Sequence, residues 1–359
     1  MYFMISSGHF LSFFIGLETA SLPIAALVAF DKNRRHSAEG GVKFIFSAVF
    51  SSAIFLFGLS FLYGATGSLY YTDITHAVQS TPLFIMALIM MTSGLFFKIS
   101  LVPFHLWAAD TYEGAPTTVT LYLSTISKGA AVFALMMILY IVYPVLAIVW
   151  KEIIWALIIL TITIGNLFAI RQKNMKRFFA FSSISQAGYI MLSVFAGTPQ
   201  GMAATLYYIF VYLFSNAAVF GVISAIENKT GRIRMDEYHG MYKANPKLAI
   251  VMMIALFSLG GIPFTAGFFS KLFVFMAALQ QEMYIVVFIA LLNTVVSLYY
   301  YLLVVKAMFI TPTSTPVESF KTDKYLKISL FLSLIGILFF GLISYFYEYL
   351  NTTGFGLIQ

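Results

Sequence analysis

The sequence predicts an all-α polytopic membrane protein with about ten transmembrane helices, arranged as two five-helix inverted repeats that each contain one broken helix. Hydrophobic residues make up 60% of the 359 residues and charged residues only 10%, which leaves too little polar surface for a water-soluble fold. The apolar stretches reach the roughly 20 residues that a helix needs to cross a bilayer, whereas barrel strands alternate over about 10. Two of these stretches, the third and the eighth along the chain, are interrupted by proline and glycine.

Apolar runs, and the charged, polar, glycine and proline residues that separate them, predict ten spans within a single transmembrane domain that covers residues 1–359. The first five are expected at 7–30, 41–64, 82–108, 116–143 and 145–170. The second five are expected at 178–198, 202–226, 247–278, 283–311 and 325–350. The first run has no basic n-region or small-residue cleavage site, so we interpret it as a span rather than a signal peptide.

Basic residues predict the orientation of the chain. The loops after the first, fifth, seventh and ninth spans hold 15 of the 21 basic residues, which are Lys32, Arg34, Arg35, Arg171, Lys173, Lys176, Arg177, Lys229, Arg232, Arg234, Lys243, Lys247, Lys321, Lys324 and Lys327. The opposite loops contribute only Lys151. By the positive-inside rule the basic loops are cytoplasmic, which predicts a multi-pass protein of a bacterial inner membrane. The net charge of +7 is explained in this way, and no nucleic acid binding is expected.

Composition also excludes several kinds of chemistry on this chain. There is no cysteine, which excludes thiolate metal sites, iron–sulfur ligation and disulfides. The five histidines are too scattered to predict a metal cluster. Any redox chemistry is therefore expected to belong to partner chains.

Ionisable residues inside the spans are the best pointer to function. Lys98, Lys128 and Lys271 each stand alone in long apolar sequence, and Glu18 is the acidic residue well inside a span. Ionised groups at this depth cost several kcal/mol and usually mark an ion or proton path. Glu18 is expected to pair with one of the lysines, which would neutralise it.

Other polar residues in the spans have simpler readings. Lys43 and Lys306 lie nearer the span edges, where snorkelling to the interface accounts for them at least as well as transport. His105, beside Trp107, fits either an interfacial anchor or a proton relay.

Two spans are predicted to be broken. The third reads GLFFKISLVPFHLWAAD, with Lys98 five residues before Pro103, and the eighth reads ALFSLGGIPFTAGFFSKLFVF, with Lys271 after its glycines. Proline removes a backbone donor and clashes with the preceding turn, and glycine weakens a helix. Backbone groups freed at such a break need protein or water as partners, so the breaks are expected to line hydrated cavities. A matched pair of broken spans is typical of inverted-repeat transporters, whose ion site lies at the breaks.

Three ordered motifs carry a resemblance to a known family. They are FKISLVPFHLWAADTYEGAPTTVTLYLSTISKGAA at 97–131, MKRFFAFSSISQAGYIML at 175–192 and SLGGIPFTAGFFSKLFVF at 258–275. Together they resemble the N subunits of proton-pumping NADH:quinone oxidoreductase, or respiratory complex I, among the antiporter-like subunits. The YEGAP element resembles N subunits more than the related L and M subunits or Mrp-type antiporters. Similarity runs from IGLETASLP at 15–23 to the last span. Family members usually have about fourteen spans, so the chain is expected to be short at its N-terminus.

The resemblance implies a role for each ionisable residue. Glu18 and Lys98 match the membrane-buried ion pair of the family, and Lys128 matches the central lysine of the proton path. Lys271 matches the lysine of the second broken helix, near the exit, and His105 fits a relay position between the first two lysines. Separating the Glu18–Lys98 pair would make Lys98 a better proton donor and expose an unbalanced charge to the next site.

One position departs from the family pattern. Family members commonly carry a histidine in SSISHxGY, where this chain has Gln186. Glutamine cannot carry a net proton, so either water must serve at this point or the path runs elsewhere.

The function implied by the resemblance is proton translocation driven by quinone reduction in partner subunits. NADH, FMN, iron–sulfur clusters and quinone are then expected on those partners and no cofactor on this chain, which would contact other membrane subunits and the lipid bilayer. Two alternatives remain, which are an Mrp-like cation/proton antiporter subunit and a purely structural membrane subunit.

Overall fold

The computed structural model describes residues 1–313, 317–342 and 345–353. Over these ranges the chain is built from helices, which confirms the predicted all-α class. The helices of the first half are α1 (Tyr2–Ile5), α2 (Phe10–Val28), α3 (Arg35–Thr66), α4 (Tyr71–Ala77), α5 (Pro82–Ile99), α6 (Leu106–Gly114), α7 (Thr117–Tyr122), α8 (Lys128–Met137) and α9 (Ala147–Ile170). Those of the second half are α10 (Met175–Ala196), α11 (Pro199–Thr230), α12 (Met241–Ala244), α13 (Pro246–Gly260), α14 (Ala266–Leu279), α15 (Tyr284–Phe309), α16 (Lys324–Leu342) and α17 (Tyr345–Thr353).

Ten crossings can be traced through these helices. In the described part of the chain, nine continuous helical stretches are long and apolar enough to span a membrane, and α13 and α14 are shorter apolar helices. Placed end to end, α13 and α14 form one further, broken crossing. The third crossing is also broken, because α5 ends at Ile99 and α6 begins at Leu106. The interrupted crossing is thus the third of each five-helix half.

Several boundaries differ from the expected ones. Helix α3 begins at Arg35 rather than at residue 41, and α11 extends to Thr230, because the polar ends of both helices continue beyond their apolar stretch. The expected span 116–143 contains two π-helical segments, Leu123–Ser127 and Ile138–Val142. Expected span 325–350 corresponds to α16 and α17, and its residues 343–344 lie outside the described residues.

Helix ends follow the local sequence. The Asn174 side chain accepts hydrogen bonds from the first amides of α10, at 2.9 Å from the nitrogen of Lys176. Proline occupies the first position of α5, α11 and α13, where its missing N–H would be unpaired in any case. Gly67 and Gly231 end α3 and α11 with positive φ angles of 70° and 69°, the conformation that glycine adopts without strain.

Helix α10 is the central element of the fold. It packs against α9, α11, α14 and α6, and 94% of its apolar window is buried. Close approach to α9 depends on small residues, since a Cβ on Gly188 would lie 2.6 Å from a side-chain carbon of Ile162. Small residues let membrane helices approach closely, so α10 can present its serines and Gln186 to neighbouring helices.

The loops after the odd-numbered crossings lie at one end of the molecule. Contacts join them directly, including Arg34 to Glu227 at 2.6 Å and Arg177 to Asp110 at 2.5 Å. The backbone nitrogen of Met175 also donates to the carbonyl of Ile233 at 2.8 Å. We call this the basic end.

Candidate functional site: buried lysines at the helix breaks

The three predicted lysines are buried within the helix bundle. Their exposed fractions are 7% for Lys98, 3% for Lys128 and 5% for Lys271. Each amine contacts at least one oxygen atom of the chain. None of the three makes an ion pair with a carboxylate of the described residues. Ionisable groups are rare inside membrane-spanning helices, which makes these three lysines candidates for functional positions.

Lys98 lies at the first helix break. It is the penultimate residue of α5, and Ser100 then adopts a positive φ of 67°. The break retains its hydrogen bonds, because Val102 nitrogen donates to Thr161 Oγ1 at 3.0 Å and Trp107 Nε1 donates to the Phe97 carbonyl at 3.0 Å. Protein groups therefore replace the lost helical partners at this break.

The expected ion pair between Glu18 and Lys98 is not found. The Lys98 amine donates to Ser21 Oγ at 2.5 Å and to the Leu17 carbonyl at 3.4 Å, both on α2. Glu18 instead accepts a hydrogen bond from Ser52 on α3. The two charged groups thus lie near the same helix but turn to different partners, because a hydroxyl stands within reach of each.

Lys128 follows a distorted turn directly. The π-helical segment Leu123–Ser127 ends at the residue before it, and π-bulges are frequent at functional sites. The amine donates to the Ser183 carbonyl at 2.8 Å and to its hydroxyl at 2.6 Å, and this hydroxyl donates to Tyr112 Oη at 3.3 Å. Lys128 is thereby tied to both α10 and α6.

Lys271 lies on α14, next to the second helix break. Its amine donates to the carbonyl of Gly260, the last residue of α13, at 3.0 Å and lies 5.0 Å from the ring centre of Tyr189. A cation is favoured at the C-terminal end of a helix. Gly261 has a φ of 81°, and a Cβ there would lie 3.0 Å from Cδ of Lys271. Glycine is therefore favoured beside the lysine, chiefly by its positive φ and in addition by this close approach.

A small polar cavity lies beside Lys271. Its volume is about 10 Å³ and its lining includes Gln186, Tyr212, Ser258 and Lys271, which is room for a single water molecule. The hydroxyl of Tyr212 is buried and has no hydrogen-bond partner in the described chain. A polar cavity with an unpartnered hydroxyl is the kind of site that holds water in proteins.

Gln186 is fixed by hydrogen bonds at the cavity wall. Its amide nitrogen donates to the Leu259 carbonyl and to Tyr301 Oη, both at 3.1 Å. Its amide oxygen accepts a hydrogen bond from Tyr208. Both N–H groups of the glutamine are thus used, and its amide oxygen keeps one lone pair that could accept a further hydrogen bond.

His105 lies inside the first break, directly before α6. Its ring is half-buried, and its Nδ1 atom is buried without a hydrogen-bond partner in the described chain. An interfacial anchor would have its polar atoms in water, which is not the case for this nitrogen.

Sequence reasoning missed a buried ion pair at the basic end. Lys176, expected in a solvated loop, is 1% exposed and contacts Glu227 at 2.8 Å. Glu227 also contacts Arg34 and accepts a hydrogen bond from Thr117. The hydrogen bond that Arg34 donates to Glu227 raises the pKa of the Arg34 guanidinium. The sequence did not indicate this pair, because Lys176 stands among residues that were expected to form a loop and Glu227 directly follows an apolar run.

A row of buried hydroxyl groups lies between this pair and Lys128 along the chain. It consists of Thr117, Thr120, Ser124 and Ser127, which are at most 6% exposed. They follow one another every three or four residues along α7 and the π-helical segment Leu123–Ser127. A cavity of about 160 Å³ borders Thr117 and Glu227 at the basic end. Polar groups therefore extend from this end to the central lysine.

The two edge lysines behave as surface residues. Lys43 contacts Glu39 at 2.7 Å and Asp110 at 2.6 Å with its side chain 44% exposed, and Lys306 is exposed on α15. Both positions agree with the interpretation that these two lysines extend towards the membrane interface.

Replacing Glu227 with glutamine is expected to destabilise the protein, because Lys176 would keep a buried charge without its counter-charge. Breaking a buried ion pair costs about 3 kcal/mol, whereas the exposed Arg234–Asp236 pair is worth less than about 1 kcal/mol. Thermal unfolding of the purified assembly should thus shift clearly to lower temperature for E227Q and hardly at all for D236N. Equal unfolding midpoints for the two variants would show that the buried pair contributes no more to stability than the exposed pair.

The architecture and the site together define a multi-pass membrane protein with ionisable residues buried at paired helix breaks. A sequence family described as NADH:quinone oxidoreductase/Mrp antiporter, transmembrane, matches residues 7–297. The chain belongs to this family.

Individual relatives agree with that assignment. The chain is 61% identical over 354 residues to NADH-quinone oxidoreductase subunit N of Phocaeicola vulgatus, covering 98% of this chain and 75% of the relative. It is 58% identical to the subunit N of Azobacteroides pseudotrichonymphae, covering 100% and 75%. Among solved structures, a chain of Thermus thermophilus respiratory complex I with bound aureothin has a TM-score of 0.84 at 33% identity, covering 96% of this chain and 75% of that one. The chain thus spans about three quarters of the length of these relatives.

Proposed function

We propose that this chain is the antiporter-like N subunit of a proton-pumping NADH:quinone oxidoreductase and that it conducts protons through its buried ionisable residues. One observation carries the proposal, which is that three lysine amines from different crossings are buried beside a helix break or a π-helical turn. The family includes Mrp antiporters, but the 61% and 58% identities are to proteins described as subunit N. These identities favour the respiratory subunit.

The proposed route begins at the basic end. Protons reach the Glu227 cavity and move along the hydroxyl row to Lys128 by way of ordered water and hydroxyl groups. From Lys128 they pass Ser183 and the single-water cavity to Lys271, which lies next to the second break. Alternation of each amine between charged and neutral forms would carry the proton, since a buried amine can release it more readily than one in water.

Glu18 and Lys98 are proposed to control this route. With Glu18 on Ser52 and Lys98 on Ser21, we infer that the present arrangement is the separated state of the pair. In the closed state both side chains would turn towards each other along α2, and the proton on Lys98 would be held more strongly. His105, between the first two lysines, would then relay a proton when the pair opens.

Energy for the cycle is proposed to come from quinone reduction in partner subunits. NADH, FMN, iron–sulfur clusters and quinone would bind there; iron–sulfur clusters in particular are held by thiolates, and this chain has no cysteine. We place the chain in a bacterial inner membrane, with the basic end in the cytoplasm according to the positive-inside rule.

Dependence on sodium separates the two transport functions. Reconstitute the assembled complex in proteoliposomes and follow internal acidification during NADH oxidation, with sodium present or replaced by choline. We expect the pH gradient to form equally in both media. Loss of the gradient without sodium would favour the Mrp-like antiporter, and a purely structural subunit is tested by the substitutions of the lysines described below.

Replacing Gln186 with leucine should slow proton transfer to Lys271. The leucine removes a polar wall of the single-water cavity, and a water held there would have fewer of the two to four polar partners that it needs. A histidine at the same position can take part in proton transfer, so Q186H is expected to keep at least the original rate. Rates of gradient formation that are the same for Q186L and the unaltered protein would contradict a route through this cavity.

A further inference from the structure

A groove at the basic end lies between α13, α16 and the loop that precedes α16. Its volume is about 700 Å³. Lys247 on α13, Lys321 on the loop and Lys327 on α16 line its outer part, and the residues that line it include no carboxylate. The groove takes no part in the proposed proton route.

Apolar side chains line the deeper part of the same groove. Ile250 follows Lys247 by one turn of α13, and Phe331 and Leu334 follow Lys327 by one and two turns of α16. Both helices start at the basic end, so on both walls charge gives way to apolar surface in the direction of the membrane. The depth from Lys327 to Leu334 is roughly 10 Å at 1.5 Å per residue. Phe331 is 63% exposed and Ile250 is 38% exposed, so these walls remain open.

The loop wall of the groove is held in place. Asn245, which is 7% exposed, donates from Nδ2 to the Glu318 carbonyl at 3.0 Å and accepts from the Phe320 nitrogen at 3.3 Å. Val317 is fully buried at the start of the same segment. The loop therefore presents Lys321 from a fixed backbone.

The lysines of the groove have no ion-pair partner in the described chain. None of the three makes an ion pair there, although Glu318 and Asp323 flank the same loop. Three unpaired cations around one opening attract an anion. A free phosphate would satisfy the charge but would leave the apolar walls uncovered, whereas a phospholipid satisfies both.

We propose that this groove binds one anionic phospholipid of the leaflet at the basic end. Its phosphate lies among Lys247, Lys321 and Lys327, and an acyl chain lies along Ile250, Phe331 and Leu334. Basic pockets between transmembrane helices are suited to anionic headgroups, and each nearby lysine favours an anionic lipid by roughly fivefold.

Photolabelling tests the proposal on the assembled complex. The complex is placed in nanodiscs of phosphatidylcholine that contain a minor fraction of photoactivatable phosphatidylglycerol, and the labelled peptides of this chain are mapped. We expect label on the N-terminal parts of α13 and α16, and at least about tenfold less label there after K247Q, K321Q and K327Q are combined.

Two further variants distinguish binding in the groove from a general attraction of anionic lipid to the basic end. The combination K32Q, K173Q and K229Q removes the same charge from exposed lysines of the basic end outside the groove, and it should leave the label unchanged. L334W fills the apolar part without changing charge and should also reduce the label.

Three results would overturn the proposal. They are equal losses in the two triple variants, equal labelling by a photoactivatable phosphatidylcholine, and crosslinking of the groove peptides to a neighbouring subunit instead of lipid. The first two would show unspecific attraction to the membrane surface. The third would identify the groove as a contact between subunits.

Discussion

Replacing Lys128 with methionine is expected to reduce proton translocation by the assembled complex by at least about tenfold, in keeping with the 10²–10⁴-fold contribution of a positioned proton-transfer group. Methionine keeps much of the length and volume of the side chain but cannot carry a proton. The amine that now bonds the carbonyl and hydroxyl of Ser183 would be lost from the middle of the route. The measurement is the initial rate of pH-gradient formation in proteoliposomes at a fixed NADH concentration.

Lys306 provides the matched control for this experiment. It also lies in a transmembrane helix, but its side chain is exposed and outside the polar route. K306M should assemble normally and translocate protons at the original rate. If both variants lost the same activity, the effect would come from removing any lysine from a span, and the special role of Lys128 would be contradicted.

Gly267→Ala is expected to give the largest loss of stability. Gly267 is the second residue of α14 and lies against the end of α13, where a Cβ would come within 1.7 Å of the Ser258 carbonyl oxygen. Backbone atoms on both sides prevent a simple rotation, so the two half-helices would have to separate. Overpacking of this kind costs about 3 kcal/mol, and it should also displace Lys271 from the Gly260 carbonyl.

Thermal unfolding and assembly of the complex measure this effect. G267A should unfold at a clearly lower temperature or fail to assemble. G64A is the control, because a Cβ on Gly64 of α3 would meet nothing within 4 Å and alanine is favoured over glycine in a helix by about 1 kcal/mol. Unfolding of G267A at the temperature of G64A would mean that the half-helices do not depend on this close contact.

The sequence was sufficient for the features that follow from local composition. Apolar length predicted the helical class, and proline and glycine marked both breaks because their backbone effects are local. The burial of Lys98, Lys128 and Lys271 also followed, since long apolar neighbours on both sides leave a lysine little access to water.

Features that depend on contacts between distant segments were not predictable. Glu18 turns to Ser52, which is 34 residues away, and Lys176 pairs with Glu227 across two helices. No local pattern indicates which of several hydroxyls or carboxylates a side chain reaches. The π-helical turn before Lys128 was also missed, because it adds one residue to a turn without changing the apolar composition.

The most direct test of the central claim is the number of protons translocated per NADH oxidised when K98M, K128M and K271M are combined in this chain. Assembly and quinone reduction by the complex are verified first, with K306M measured in parallel. If the buried amines carry protons, the ratio must fall in the triple variant and remain at the original value in K306M. An unchanged ratio in an assembled triple variant would contradict proton conduction through this chain.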